Sequence, residues 1–419
     1  MRSARPRLAG ASIAALGSFS MVVPLMAGLP ASGVPASGVP ARGGLTALES
    51  RGAAMPVAPE VREVSVPETD RPQEPRLAAT SVPQPVDGFG VVGATWLGRP
   101  PTGLRLAVRT QTRGSWSAWS QLHGGSCPCA LCAAGRAAAE ASAFGGHGPN
   151  ASSSEARLAR SGTDPLAVGE VGAVQLRATS ATGRAPRDLQ LSVIDPGQSA
   201  YDRPAALPAA RAIGSTGAVA SHTEGEAPGV RAPRPHIRTR SDWGADSRLR
   251  SGSPQYGQVE AAFVHHTVNS NDYSRSDVPA IIRGIYAYHT RSLGWSDIGY
   301  NFLVDRFGRK WAGRAGGMRR AVIGAQVYGY NHVSTGIATI GNFETTTPSR
   351  EMMRGVGRVV GWKLGLHGVR VGGRYAQLDG DRFRAVSGHR DGGQTACPGI
   401  HLYRKLDVIR EIAIRRQGR

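Results

Sequence analysis

Two imidazoles and one thiol stand where a chain can bring them to a single point. Glu260–His266 (EAAFVHH) is a short apolar run ending in paired histidines, and Ala385–His389 (AVSGH) is another that ends in a histidine. Each reads as a buried strand that delivers its last side chain to the strand's C-terminal end. Cys397 follows His389 across GHRDGGQTACPG, whose glycines permit a tight loop that lets both side chains face one ion. A catalytic zinc site takes three N or S ligands and keeps a fourth position open. His265, His389 and Cys397 supply that set. His266, on the opposite face of the strand, is the alternative first ligand.

These ligands need a frame, and the surrounding sequence predicts one. Ser276-Asp277-Val278-Pro279 opens a helix with Ser276 as N-cap, and Val278, Ile281, Ile282, Ile285 and His289 fall on one face. Gly299–Asp305 (GYNFLVD) reads as a strand stopped by the turn Arg306-Phe307-Gly308-Arg309, and Thr335–Gly341 (TGIATIG) as another. A long helix over Arg350–His367 buries Met352, Val356, Val359, Val360 and Leu364. Strands alternating with helices predict an α/β domain over 235–419, a mixed β-sheet flanked by helices.

At this level of detail the stretch from Ile237 to Tyr403 resembles the type 2 N-acetylmuramoyl-L-alanine amidases, zinc enzymes that share their fold with the animal peptidoglycan recognition proteins. The motifs that carry the resemblance are FVHHT at Phe263–Thr267, WSDIGYNFLVDRFG at Trp295–Gly308, YGYNHVSTGIATIGNF at Tyr328–Phe343 and GHRDGGQTACPG at Gly388–Gly399. By resemblance, the zinc ligands are His265, His389 and Cys397, one ion per chain. Tyr300 is then the tyrosine beside the metal, and Thr395, two before the cysteine, helps polarise the substrate carbonyl. Bacteriophage members place lysine at that position, so the threonine is similar to the recognition-protein branch. The same resemblance implies that His266, Arg314, Gln326 and Asn331 contact substrate. Many relatives have Glu where Ala312 stands and His where Gln326 stands, which bears on rate and preference rather than on zinc. The implied reaction is hydrolysis of the amide joining N-acetylmuramic acid to L-Ala of the stem peptide. The rival is a recognition module that binds peptidoglycan without cutting it. Loss of the cysteine ligand would favour the rival, and Cys397 is present.

Upstream, the sequence is read from composition and alternation. Arg2, Arg5 and Arg7 precede an uncharged apolar stretch from Leu8 to Ala31, which reads as a secretory signal over 1–32 or, if uncleaved, an N-terminal anchor. Residues 33–85, rich in Pro, Ala and Gly and holding the repeat ASGVPASGVP, read as a disordered linker. Leu104, Leu106 and Val108, then Val174, Leu176 and Ala178, then Leu189, Leu191 and Val193 alternate with polar or small residues. That pattern predicts a small antiparallel β-sandwich over 86–197, with Trp96, Trp116 and Trp119 as core and edge packing. An insertion at 124–162 carries Cys127, Cys129 and Cys132, for which a Cys127–Cys132 disulfide is expected in an oxidising compartment. A second linker spans 198–234. A sandwich ahead of a zinc domain also resembles the layout of secreted actinobacterial amidases, which implies a cell-wall location.

The 419 residues carry 50 Lys+Arg against 30 Asp+Glu, a net charge of +20. Residues 235–419 hold 28 basic and 14 acidic side chains, so 28 − 14 = +14 of that excess lies on the domain expected to do the chemistry. Codon usage in a GC-rich genome explains an arginine excess without function. An anionic cell-wall polymer is the functional explanation, and the secretory signal argues against nucleic acid.

Overall fold

The computed structural model describes residues 55–69, 76–123, 160–199, 202, 232–373 and 375–418. The signal segment, the linker over 33–54, Cys127, Cys129 and Cys132, and nearly all of the second linker lie outside the described residues. Gly52–Arg419 is one compact unit. Among the described residues, no helix is long and apolar enough to cross a membrane.

The sandwich begins earlier than alternation over 86–197 predicts. Strand β1 (Glu60–Ser65) pairs antiparallel with β11 (Arg187–Asp195), which pairs with β4 (Phe89–Leu97), while β8 (Ser161–Gly162) and β9 (Leu166–Glu170) extend β4's other edge. The second sheet runs β2 (Leu77–Thr80), β10 (Ala173–Thr179), β5 (Arg105–Thr112) and β6 (Ser115–Trp116), with β3 (Gln84–Pro85) on β10 and β7 (Ser120–Leu122) on β5. Glu60–Ser65, Leu77–Thr80 and Gln84–Pro85 are therefore strands, inside the stretch read as linker. Val61 and Val64 stand three residues apart, on opposite faces of β1, so no period-2 alternation marks the strand in sequence, and its partner strand lies more than a hundred residues away.

The inner faces of both sheets meet in a core of Val92, Ala94, Leu106, Val108, Val174, Leu176, Leu191 and Val193. Trp96 joins that core. Trp116 and Trp119 are half-buried and interleave with arginines. The Arg109 guanidinium lies 4.7 Å from the Trp116 ring and 4.8 Å from that of Trp119, and Arg177 lies 4.6 Å from Trp119. Cation–π contacts of this kind cover apolar surface while the charges stay wet.

In the C-terminal domain a five-stranded sheet runs β14 (Lys310–Ala312), β13 (Phe302–Val304), β15 (Ser334–Thr339), β12 (Ala261–His266), β18 (Val386–Gly388). Strands β13, β15, β12 and β18 are mutually parallel, and β14 is antiparallel to β13. Helices α2 (Arg350–Leu366) and α3 (Leu406–Arg416) pack with Ala262, Val264, Phe302 and Ile337 in one core. Helix α1 (Asp277–Ala287) packs with Leu303, Ala338 and Ile340 in another. A hairpin of β16 (Ala376–Leu378) and β17 (Asp381–Phe383) places Leu378 and Phe383 against Phe263. This is the predicted mixed sheet flanked by helices, behind a β-sandwich. Ser349 caps α2, its Oγ accepting from Met352 N at 3.1 Å.

Helix α1 departs from the one-faced expectation. Every residue from Val278 to Ala287 is buried, because the sandwich covers the face that the sheet leaves open. Val91, Ala167 and Ile194 of the sandwich share α1's core. A Cβ at Gly284 would stand 2.9 Å from Val91 Cβ, so only glycine admits β4 this close. Arg283, fully buried, pairs with Asp202 at 2.5 Å and donates to the carbonyls of Pro196 and Trp243 at 2.8 and 3.1 Å. Just beyond the helix, Tyr288 donates its hydroxyl to Ala94 O at 3.0 Å. Ser276 makes no cap. Asp277 instead accepts from Ser274 N at 2.7 Å, and the Ser276 hydroxyl pairs with that of Ser274.

Candidate metal centre

Strand alternation decides which side chains meet. In β12, Ala261, Phe263 and His265 share one face, and Ala262, Val264 and His266 the other. His265 thus lies beside Phe263, whereas the His266 ring turns the other way and its Nδ1 accepts from Phe343 N at 3.3 Å. The parallel neighbour β18 ends at Gly388, so His389 emerges at the same end of the sheet, at the start of a short helical turn, His389–Gly392. The His265 and His389 ring centroids are 4.6 Å apart. The loop then returns Cys397 to the pair. Arg390 N donates to Cys397 O at 2.9 Å, and Cys397 N to Thr395 Oγ1 at 3.1 Å.

His265, His389 and Cys397 are all buried, and their ligand atoms lie within 4.8 Å of one another. His265 Nδ1 and Cys397 Sγ are 3.7 Å apart. Bond lengths of about 2.0 Å to nitrogen and 2.3 Å to sulfur at a tetrahedral angle require roughly 3.5 Å, close to the separation of the pair. His389 Nδ1 is buried with no hydrogen-bond partner, an orphan that a metal would satisfy. The Cys397 sulfur accepts the backbone N–H of His266 at 3.4 Å.

Electrostatics keep the imidazoles in their ligating form. Burial, reinforced by repulsion from His389, holds His265 far below the usual histidine range. Burial alone pushes His389 down to about 4. His266 falls to about 3, chiefly through burial and then through repulsion from His123 of the sandwich, His389 and Arg390. Neutral imidazole is the form that binds a metal.

The other expected site residues occupy distinct positions. Tyr300 is buried, with its ring 5.5 Å from that of His265 and 5.7 Å from that of His289. Thr395 is half-buried beside Cys397. Arg314, half-buried, donates to Ser296 Oγ at 2.6 Å. Asn331 accepts at Oδ1 from the backbone N–H groups of Gln326 and Val327, at 2.8 and 3.0 Å, and so holds the turn on which Gln326 sits. Gln326 is itself buried, its Oε1 against His265 Nε2. Sequence reading did not single out Ser334 or Gly336, which accommodate the Gln326 side chain. The available signal was Gly336, a glycine inside an apolar strand, which marks close approach by another group.

His289 contributes a pH dependence that needs no metal. It stacks on Trp295 at 4.5 Å, accepts from Gly299 N at 3.2 Å, and burial pushes it down to about 3 from 6.5. The unfolded chain therefore binds more protons between those values, so stability is full above pH ~6.5 and falls as the pH drops towards 3. The melting temperature of the metal-free full chain should fall between pH 7 and pH 5. His289→Gln should reduce that slope by the share of one histidine, since His265, His266 and His389 are depressed in the same direction. An unchanged slope in His289→Gln would remove His289 from the account.

The family model described as N-acetylmuramoyl-L-alanine amidase matches residues 255–400. Peptidoglycan-recognition protein SC1a/b of Drosophila simulans is 30% identical over 172 residues, covering 41% of this chain and 84% of the relative. A Drosophila melanogaster peptidoglycan-recognition protein is 34% identical over 148 residues, covering 35% of this chain and 72% of the relative. Among solved structures, wild-type Drosophila PGRP-LB is 27% identical with a TM-score of 0.35, covering 41% of this chain and 92% of that one. The matched stretch contains the His-His-Cys cluster, which supports a zinc-dependent amidase-type activity on peptidoglycan. Through this domain, the chain belongs to the family of N-acetylmuramoyl-L-alanine amidases and peptidoglycan recognition proteins.

Proposed function

We propose that the protein hydrolyses the amide between the lactyl group of N-acetylmuramic acid and L-Ala of the stem peptide. The observation that carries this reading is the complete ligand set, with His265, His389 and Cys397 converging within 4.8 Å at one end of the sheet. A binding module needs no such set, whereas a hydrolase needs all three. Zinc bound there supplies Lewis acidity, which acidifies water and polarises a carbonyl.

The chain's own residues do the rest. Tyr300 donates its hydroxyl to the oxyanion that develops as the carbonyl carbon becomes tetrahedral. The Thr395 oxygen accepts from Cys397 N, which leaves its O–H to donate to the same oxyanion. Water adds to the carbonyl carbon, the C–N bond breaks, and a proton passes to the departing α-amine of alanine. Burial of the imidazoles excludes bulk water from the ligand side. The Leu8–Ala31 segment and the sandwich-plus-amidase layout support work outside the cell, at the wall, in the manner of the secreted actinobacterial amidases.

Digestion of purified peptidoglycan by the full chain tests this reading. Mass analysis should find peptides with a free N-terminal alanine and glycans with intact lactyl carboxylates. Retention on peptidoglycan without new termini would replace the hydrolase with a binding module.

A further inference from the structure

The buried polar groups behind His265 form a chain whose hydrogens can be assigned from one end. The Tyr330 carbonyl can only accept, and Ser334 Oγ donates to it at 2.6 Å. With its hydrogen committed there, Ser334 Oγ accepts at 3.1 Å from Gln326 Nε2. The NH₂ of the carboxamide therefore faces Ser334, and its oxygen faces His265 Nε2. A carbonyl oxygen does not donate, so Nε2 carries the ring hydrogen and Nδ1 presents its lone pair, on the side 3.7 Å from Cys397 Sγ.

We propose that Gln326 is a positioning residue that holds His265 in the Nε2–H tautomer, with Nδ1 facing the metal, under orientation by Ser334. The inference rests on the zinc reading above and adds the group that selects the ligating nitrogen. The site is built for this. A Cβ at Gly336 would stand 2.6 Å from Gln326 Cδ, so the glutamine lies flat on β15 only because that position is glycine. Asn331 fixes the backbone of the same turn. Gln326 and His265 are both buried, so water does not compete for the bond. A neutral acceptor also orients the ring without the negative charge that would favour imidazolium over metal.

Two variants of the full chain test it: Gln326→Met, which keeps volume and loses the acceptor, and Ser334→Ala, which frees the carboxamide to rotate. Two-bond ¹H–¹⁵N correlation on the metal-free protein reads the His265 tautomer, and competition with a chromophoric chelator reads zinc affinity. The parent should show a protonated Nε2 at His265. Gln326→Met should show mixed tautomers and bind zinc about 10–100-fold more weakly, the usual effect of losing such a partner. Ser334→Ala should shift both readouts in the same direction by less, and decides the matter if the methionine variant does not fold. A parental tautomer and zinc affinity within twofold of the parent in both variants would overturn the proposal. If the parent itself bound no zinc, the hydrolase reading would fail, while the tautomer in the metal-free protein would still decide this one.

Discussion

Cys397→Ser is expected to remove nearly all zinc from the purified chain and to abolish amide hydrolysis. Cys397 is the one member of the ligand set that binds zinc as an anion, and its sulfur sits buried against His266 N–H at 3.4 Å. A serine hydroxyl does not ionise near neutral pH, so the site would offer two neutral imidazoles and a neutral oxygen, a far weaker set for zinc. The fold should survive. Arg390 N donates to the main-chain oxygen of residue 397 at 2.9 Å, and Cys397 N donates to Thr395 Oγ1, so the loop is held by main-chain groups that the substitution retains. Metal content by atomic spectrometry, alongside turnover, reads the result. A fully metallated, fully active Cys397→Ser protein would sink the ligand assignment.

Tyr300→Phe separates chemistry from metal binding. The ring packs beside His265 and His289, and phenylalanine fills the same space, so stability and zinc content should stay near parental. What disappears is the hydroxyl proposed to donate to the oxyanion. Removing a single such donor costs on the order of 10²–10³ in turnover. Binding to intact peptidoglycan should persist. Hydrolysis at the parental rate would take Tyr300 out of the reaction.

Much of the centre is legible in the sequence because its parts are local. A strand ending in His265, a strand ending in His389 and a glycine-rich loop to Cys397 each declare themselves within a dozen residues, and four motifs in order supply the family. The start of α2 is equally local, set by Ser349. What escapes the sequence depends on partners far along the chain. Strand β1 is recognisable only once β11 is beside it. The second buried face of α1 carries Arg283 and Gly284, which look like surface residues until Asp202 and Val91 arrive. Gln326 looks like a groove residue because nothing near it in sequence announces His265, 61 positions earlier. The hairpin of β16 and β17 is too short and too polar for periodicity to register.

Zinc titration of the metal-free full chain tests the central claim most directly. Hydrolysis of a soluble muropeptide should be absent at the start, rise in proportion to added zinc and level off at one ion per chain, with no corresponding rise in Cys397→Ser. Parental hydrolysis by protein shown to hold no metal, or a plateau that Cys397→Ser shares, would contradict the assignment of His265, His389 and Cys397 as the centre of a zinc amidase.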